Sequence, residues 1–167
     1  MNRGVRYIII VVAFLLQPFL SAMLPLWMVP DLCFCILVAI MAVADPDEYV
    51  GPVILIFALA LVKDIYSCQF VGVTVIAMII TSIFILLLRR SANIENIVFI
   101  GILALASNLV YYIAYWAIYA ILSSPYSFLY MVRSIGWVVL PNIVVTFITL
   151  LIISRRMIVK KRDKYFR

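Results

Sequence analysis

Long uncharged runs alternate with short charged or proline-containing segments along the chain. A helix that crosses a bilayer needs about 20 mostly apolar residues, and the runs approach this length. We therefore predict helices at residues 5–24, 30–44, 49–66, 71–88, 97–122 and 134–153. The predicted fold is an all-α membrane protein, a six-transmembrane-helix bundle over residues 1–154 with a basic cytoplasmic tail at residues 155–167.

The second and third predicted helices have the shortest uncharged cores, at residues 32–44 and 49–62. They fit either two full crossings or a re-entrant hairpin. A hairpin would place the acidic segment at residues 45–48 inside the bilayer, where a carboxylate is expensive. We favour two full crossings with this acidic turn in water, and the hairpin stays open as the alternative.

Composition excludes an ordinary soluble domain, because 68% of the residues are hydrophobic and 12% are charged. The chain has no His, and its seven acidic residues are scattered, which gives no pattern of a general base or a metal site. Cys33, Cys35 and Cys68 are interpreted as small apolar packing residues. The sequence predicts neither an enzyme nor a cofactor.

The basic residues set the predicted orientation. If the N-terminus is cytoplasmic, only Lys63 and Arg133 of the 13 Lys and Arg residues fall on the outer side, which favours both termini inside. The tail is predicted to bind anionic lipid, with a cytoplasmic protein as the alternative and no nucleic acid. Its basic residues include Arg155, Arg156, Lys160, Lys161, Arg162 and Lys164.

Three amide side chains fall at a similar predicted depth, about 16 to 18 Å from the cytoplasmic side: Gln17, Asn108 and Asn142. We expect a hydrogen-bonded tie between their helices, and a substrate site is the alternative. Asp31 is interpreted as a carboxylate at a helix start, at the outer boundary of the membrane. A partner-facing or interhelical role for Asp31 and Asp64 is the other interpretation.

An aromatic stripe marks the outer half of the fifth predicted helix, where Tyr111, Tyr115 and Tyr119 recur every four residues. The following outer segment adds Tyr126 and Arg133. We consider these five residues candidates for a partner surface, and an interfacial belt with core packing is the alternative.

The second to fourth predicted helices resemble the MreD family of bacterial rod-shape proteins. Pro30-Asp31-Leu32 opens the second helix, Asp64 ends the third, and Ser67 and Gly72 lie in the turn before the fourth. At three turn positions this chain departs from the family pattern of Gly, Pro and His: Cys68, Phe70 and Thr74.

The resemblance implies a bundle similar to the substrate-binding subunits of energy-coupling-factor vitamin transporters, acting as a non-catalytic scaffold of lateral cell-wall synthesis in the bacterial inner membrane. It implies an MreC-like single-span partner and also MreB, RodZ, RodA and a class B penicillin-binding transpeptidase. Asp31, Asp64, Ser67 and Gly72 carry over as a structural core, and we expect Gly72 to permit close backbone approach.

Two other functions remain open. A vitamin-binding transporter subunit would share the architecture. Such subunits carry two alanines four positions apart in the first helix, whereas here Ala13 is followed four positions later by Gln17. A membrane enzyme would have to use Asp31, Asp64 and Ser67.

Overall fold

A computed structural model describes residues 3–25, 29–44, 46–66, 70–90, 97–122, 136–137 and 139–153. Every regular element in these residues is an α-helix. The order is α1 (Arg3–Met23), α2 (Leu32–Val43), α3 (Pro46–Tyr66), α4 (Val73–Arg90), α5 (Ile97–Leu122) and α6 (Val139–Ile153). The six predicted helices are thus present, and the bounds of the fifth are those predicted.

The connection between α2 and α3 is shorter than predicted. Ala44 ends α2 as its C-cap, with its N–H bonded to the carbonyl of Ile40 at 2.9 Å. Helix α3 begins at Pro46, three residues before the predicted start. Proline is favoured at the first helical position because no intrahelical partner exists there for the N–H that it lacks. Most of the predicted acidic turn therefore belongs to the first turn of α3.

Among the residues that the structure describes, three helices are long and apolar enough to cross a membrane: Gly4–Met23, Glu48–Tyr66 and Val98–Leu122. Three shorter apolar helices accompany them: Leu32–Val43, Val73–Arg89 and Val139–Ile153. This composition indicates a membrane protein.

Helix α2 is the central element of the bundle. Nine of its 12 residues are buried, on all sides of the helix, as expected for a core helix. It packs against α1, α3 and α4, and the residues at its start also contact α5 and α6. Helix α1 lies at the periphery, with Ile8 63% exposed and Phe19 67% exposed.

Side-chain contacts fix the relative directions of the helices. Arg6 in the first turns of α1 binds Glu48 at the start of α3. Arg89 near the end of α4 binds the carbonyls of Met41 and Ala44 at the end of α2. These groups mark one end of the bundle, which we call the Arg6 end. The opposite end, where α2 starts, is called the Asp31 end. Successive helices from α1 to α4 therefore alternate in direction.

Candidate functional site

Asp31 caps the start of α2. Its Oδ1 accepts a hydrogen bond from the backbone N–H of Phe34 at 3.1 Å, and the residue is 6% exposed. The first N–H groups of a helix have no intrahelical acceptors, so a carboxylate at this position satisfies one of them and also faces the positive end of the helix dipole. The interpretation of Asp31 as a carboxylate at a helix start is confirmed.

The second carboxylate oxygen of Asp31 joins α2 to two other helices. Asp31 Oδ2 accepts from Lys63 Nζ on α3 at 2.5 Å and from Tyr111 Oη on α5 at 3.4 Å. The interhelical interpretation of Asp31 therefore also holds. Through these bonds Asp31 is the junction of three helices, α2, α3 and α5. The charge-assisted bond from Lys63 is about twice as strong as a neutral one.

This junction lies beside the middle of α5. Tyr111 is the 15th of the 26 residues of α5, so about 17 Å of that helix extends beyond it. Helix α2 is only 12 residues long and its first turn lies beside this mid-point. Asp31 thus lies beside the middle of the longest described helix, because α2 is too short to bring its start level with the end of α5.

Two amide side chains complete the polar cluster at the start of α2. Gln17 accepts from the N–H of Leu32 at 3.1 Å and donates to the carbonyl of Pro30 at 2.9 Å. Asn142 on α6 accepts from the N–H of Asp31 at 2.6 Å. Buried backbone donors require acceptors, and these amides supply them from α1 and α6.

Asn108 forms a separate tie between α5 and α6. Its Nδ2 donates to the carbonyl of Ala104 at 2.7 Å and to the hydroxyl of Thr146 at 3.2 Å. Gln17, Asn108 and Asn142 are all described, and no hydrogen bond joins any two of them. The prediction that these three side chains bind one another is wrong. Gln17 and Asn142 bind backbone groups at the start of α2, and Asn108 binds Thr146.

Asp64 caps the neighbouring helix α4 from the end of α3. It is 2% exposed and accepts from the N–H groups of Gly72 at 2.9 Å and Thr74 at 3.1 Å. The hydroxyl of Thr74 also donates to it. The start of a helix carries partial positive charge, so it stabilises this buried carboxylate. Adjacent Lys63 and Asp64 therefore bind different helix starts, which agrees with an interhelical role for Asp64.

Gly72 serves this turn through its backbone conformation. Its φ is +96°, in the region that L side chains rarely adopt, and nothing lies within 4 Å of a Cβ added there. The prediction of close backbone approach is therefore wrong, and the need for a left-handed conformation explains the glycine. Ser67, the remaining residue of the family pattern, lies outside the described residues.

The tyrosine stripe continues the site along α5. Phe34 stacks on Tyr111 with ring centroids 4.1 Å apart, and Tyr111, Tyr115 and Tyr119 follow one another at 6.4 and 6.2 Å. Phe70 meets Tyr119 edge-on at 5.9 Å. Tyr111 therefore packs against the core. This agrees with core packing, which was the alternative to a partner surface. Tyr126, Arg133 and the tail residues 155–167 lie outside the described residues.

Three polar contacts were missed from the sequence: the Arg6–Glu48 pair, the Arg89 bonds to α2 and the Thr74 bond to Asp64. Arg6 and Arg89 each lie near the end of an apolar run, next to helix termini with unpaired groups. That placement is the only sequence signal that they carry, and it does not identify their partners.

The arrangement can hold helix ends together. Among the residues that the structure describes, every fully buried side-chain nitrogen or oxygen has a hydrogen-bond partner. The same residues contain no group of three or more His, Cys, Asp or Glu side chains that could hold a metal. Cys33 and Cys35 are free thiols and are buried, as predicted for packing residues.

Comparison with known proteins gives no relative: no family model, no curated protein and no solved structure matches the chain. The resemblance to MreD therefore depends on the residues named above.

Proposed function

We propose that the protein is an MreD-like, non-catalytic scaffold of the bacterial elongation machinery, with an MreC-like single-span protein as its principal partner. The observation that carries the proposal is the structural position of the resemblance residues. Asp31 fixes the start of α2, while Asp64 and Gly72 fix the start of α4. These residues determine where two helices begin, which fits a protein that acts by presenting a contact surface to its partners.

All six helices cross the membrane in this proposal. Helix α2 spans only about 18 Å, but both of its ends are bonded to side chains of other helices. Irregular backbone is tolerated at membrane depth when protein groups satisfy it, so a short central helix is compatible with a complete crossing. Two full crossings by α2 and α3 are therefore preferred to a hairpin.

The Arg6 end is assigned to the cytoplasm of a bacterial inner-membrane protein. Arg6 and Arg89 lie at this end, and positively charged residues are retained on the cytoplasmic side. At the opposite end Lys63 is paired with Asp31. This orientation places both termini inside and gives the basic tail access to anionic lipid, MreB and RodZ, while RodA and the transpeptidase are partners within the membrane.

Affinity purification from membranes of the host tests the proposed function. The tagged protein should recover a single-span protein with a large periplasmic region, and its depletion should turn rod-shaped cells round. Recovery of an ABC ATPase pair, together with unchanged rods that require a vitamin, would overturn the proposal in favour of a transporter subunit.

A matched pair of glycine variants relates this function to the site. Gly72→Ala should reduce recovery of the single-span partner more than Gly101→Ala, because only Gly72 has a left-handed backbone. Equal recovery by the two variants at equal protein level would argue against a role of the turn in partner binding.

A further inference from the structure

A cavity of about 250 Å³ lies at the Arg6 end, between α1, α2 and α6. Its walls are almost entirely aliphatic, and a guanidinium group and a hydroxyl group are its polar elements. The principal lining residues are Ile9 from α1, Ile36 and Ile40 from α2, Ile152 from α6, and the polar Arg6 and Thr149.

Arg6 is a buried cation with unused donors. It is 6% exposed, and its two terminal nitrogens bind the carbonyl and carboxylate oxygens of Glu48. A guanidinium group carries five N–H donors, so these two bonds leave three for another acceptor. Glu48 therefore holds the guanidinium in place and leaves it able to bind an anion beside the cavity.

The extent of the cavity matches the membrane depth of a phospholipid headgroup and upper acyl chain. It begins at Ile152 beside the end of α6 and at Arg6, about 5 Å from the start of α1. It reaches Ile36, about 11 Å before the end of α2. Aliphatic walls bind water poorly and leave van der Waals contacts unmade when empty, so a hydrocarbon chain is the occupant that they favour.

We propose that this cavity binds one anionic phospholipid, with its phosphate on Arg6 and an acyl chain along the isoleucine walls. The proposal relies on the membrane placement given under the proposed function, but not on any protein partner. The net charge of +6 and the basic residues that follow α6 favour the anionic lipids of the cytoplasmic leaflet. A free phosphate would leave the isoleucine walls uncovered.

Lipid titration of the purified full-length protein in a neutral detergent, followed by native mass spectrometry, tests this site. We expect one phosphatidylglycerol per chain to bind about fivefold more tightly than phosphatidylcholine, the factor typical of one basic residue near lipids with a net negative charge. Inorganic phosphate alone should not bind measurably. Equal affinity for the two lipids, or binding of phosphate alone, would overturn the proposal.

Variants separate the cavity from the basic tail. Arg6→Gln should lower the affinity for phosphatidylglycerol about fivefold and that for phosphatidylcholine by less, because the choline cation offsets the charge of its phosphate. Ile152→Trp should fill the cavity and weaken binding of both lipids. Ile148→Trp is the control, because Ile148 lies one turn away on α6, has a similar exposure (49% against 53%) and does not line the cavity.

The Ile152→Trp result decides the proposal even if Arg6→Gln does not fold. Ile152 is exposed and makes no polar contact, so its substitution is expected to leave the fold intact. Attraction of lipid by the tail alone would be the same in both tryptophan variants, and that result would contradict a cavity site. The titration contains no partner protein, so its outcome is independent of whether an MreC-like protein binds.

Discussion

The two ends of α2 are stabilised in different ways. At its start, Asp31, Gln17 and Asn142 satisfy backbone groups, and Lys63 and Tyr111 bind the same carboxylate. At its end, Arg89 alone donates to the carbonyls of residues 41 and 44 among the bonds described. A short buried helix cannot leave its terminal groups to water, so other helices must satisfy them. Among the bonds described, the start of α2 is consequently joined to four other helices, whereas its end is joined to one.

The largest expected effect is that of Asp31→Ala. The variant removes the cap of α2 and leaves Lys63 without this acceptor. We expect a loss of about 3 kcal/mol in the free energy of unfolding, the lower end of the range for a broken buried pair, because the Lys63 side chain is 31% exposed. Asp31→Asn keeps a capping oxygen and should be about 1 kcal/mol more stable than Asp31→Ala. Unfolding in mixed micelles titrated with SDS measures both, and equal losses would contradict the capping role.

Arg89→Met tests the other end of α2. It leaves two carbonyl groups without these donors, and we expect a loss of about 1 to 2 kcal/mol in the same unfolding measurement. Arg89→Lys retains a cation near the helix end and should lose less. If Arg89→Met were more destabilising than Asp31→Ala, the proposed asymmetry between the two ends would be reversed.

Gly72→Ala should cost about 1 to 2 kcal/mol of unfolding free energy, because alanine is strained at a φ of +96°. Gly101→Ala is the matched control within α5, where an added Cβ would lie 3.8 Å from the ring of Phe147, an ordinary contact. That variant should be neutral or stabilising by up to about 1 kcal/mol. A similar loss in both would show that conformation is not the reason for the glycine at position 72.

The smallest effect is expected for Asn108→Leu, which removes one bond to Thr146 between α5 and α6. Single interhelical hydrogen bonds in membrane proteins contribute about 0.6 kcal/mol on average. Asn142→Leu should be more destabilising in the same assay, because it leaves the buried N–H of Asp31 without this acceptor. The reverse order would place the main polar tie at Asn108 and away from α2.

Hydrophobic pattern predicted the helices because apolar runs have the length of a helix, and α5 was placed to the residue. Charged residues are a poor guide to the start of α3, because Pro46 is well suited to a helix start and the acidic residues after it lie in the first turn. The position of Asp31 directly after Pro30 predicts a carboxylate at a helix start, and the structure shows this carboxylate as the N-cap of α2. The partners of Gln17, Asn108 and Asn142 were missed because depth fixes a residue along the helix axis and leaves its direction around that axis undetermined. The function stays a prediction.

A double-mutant cycle on Asp31 and Lys63 tests the central claim that polar side chains at the Asp31 end tie the helices together. The free energy of unfolding is measured for Asp31→Asn, for Lys63→Met and for the double variant. If the pair joins α2 to α3, the double variant should lose at least about 1 kcal/mol less than the sum of the single losses. Losses that add to within about 0.5 kcal/mol would contradict the claim.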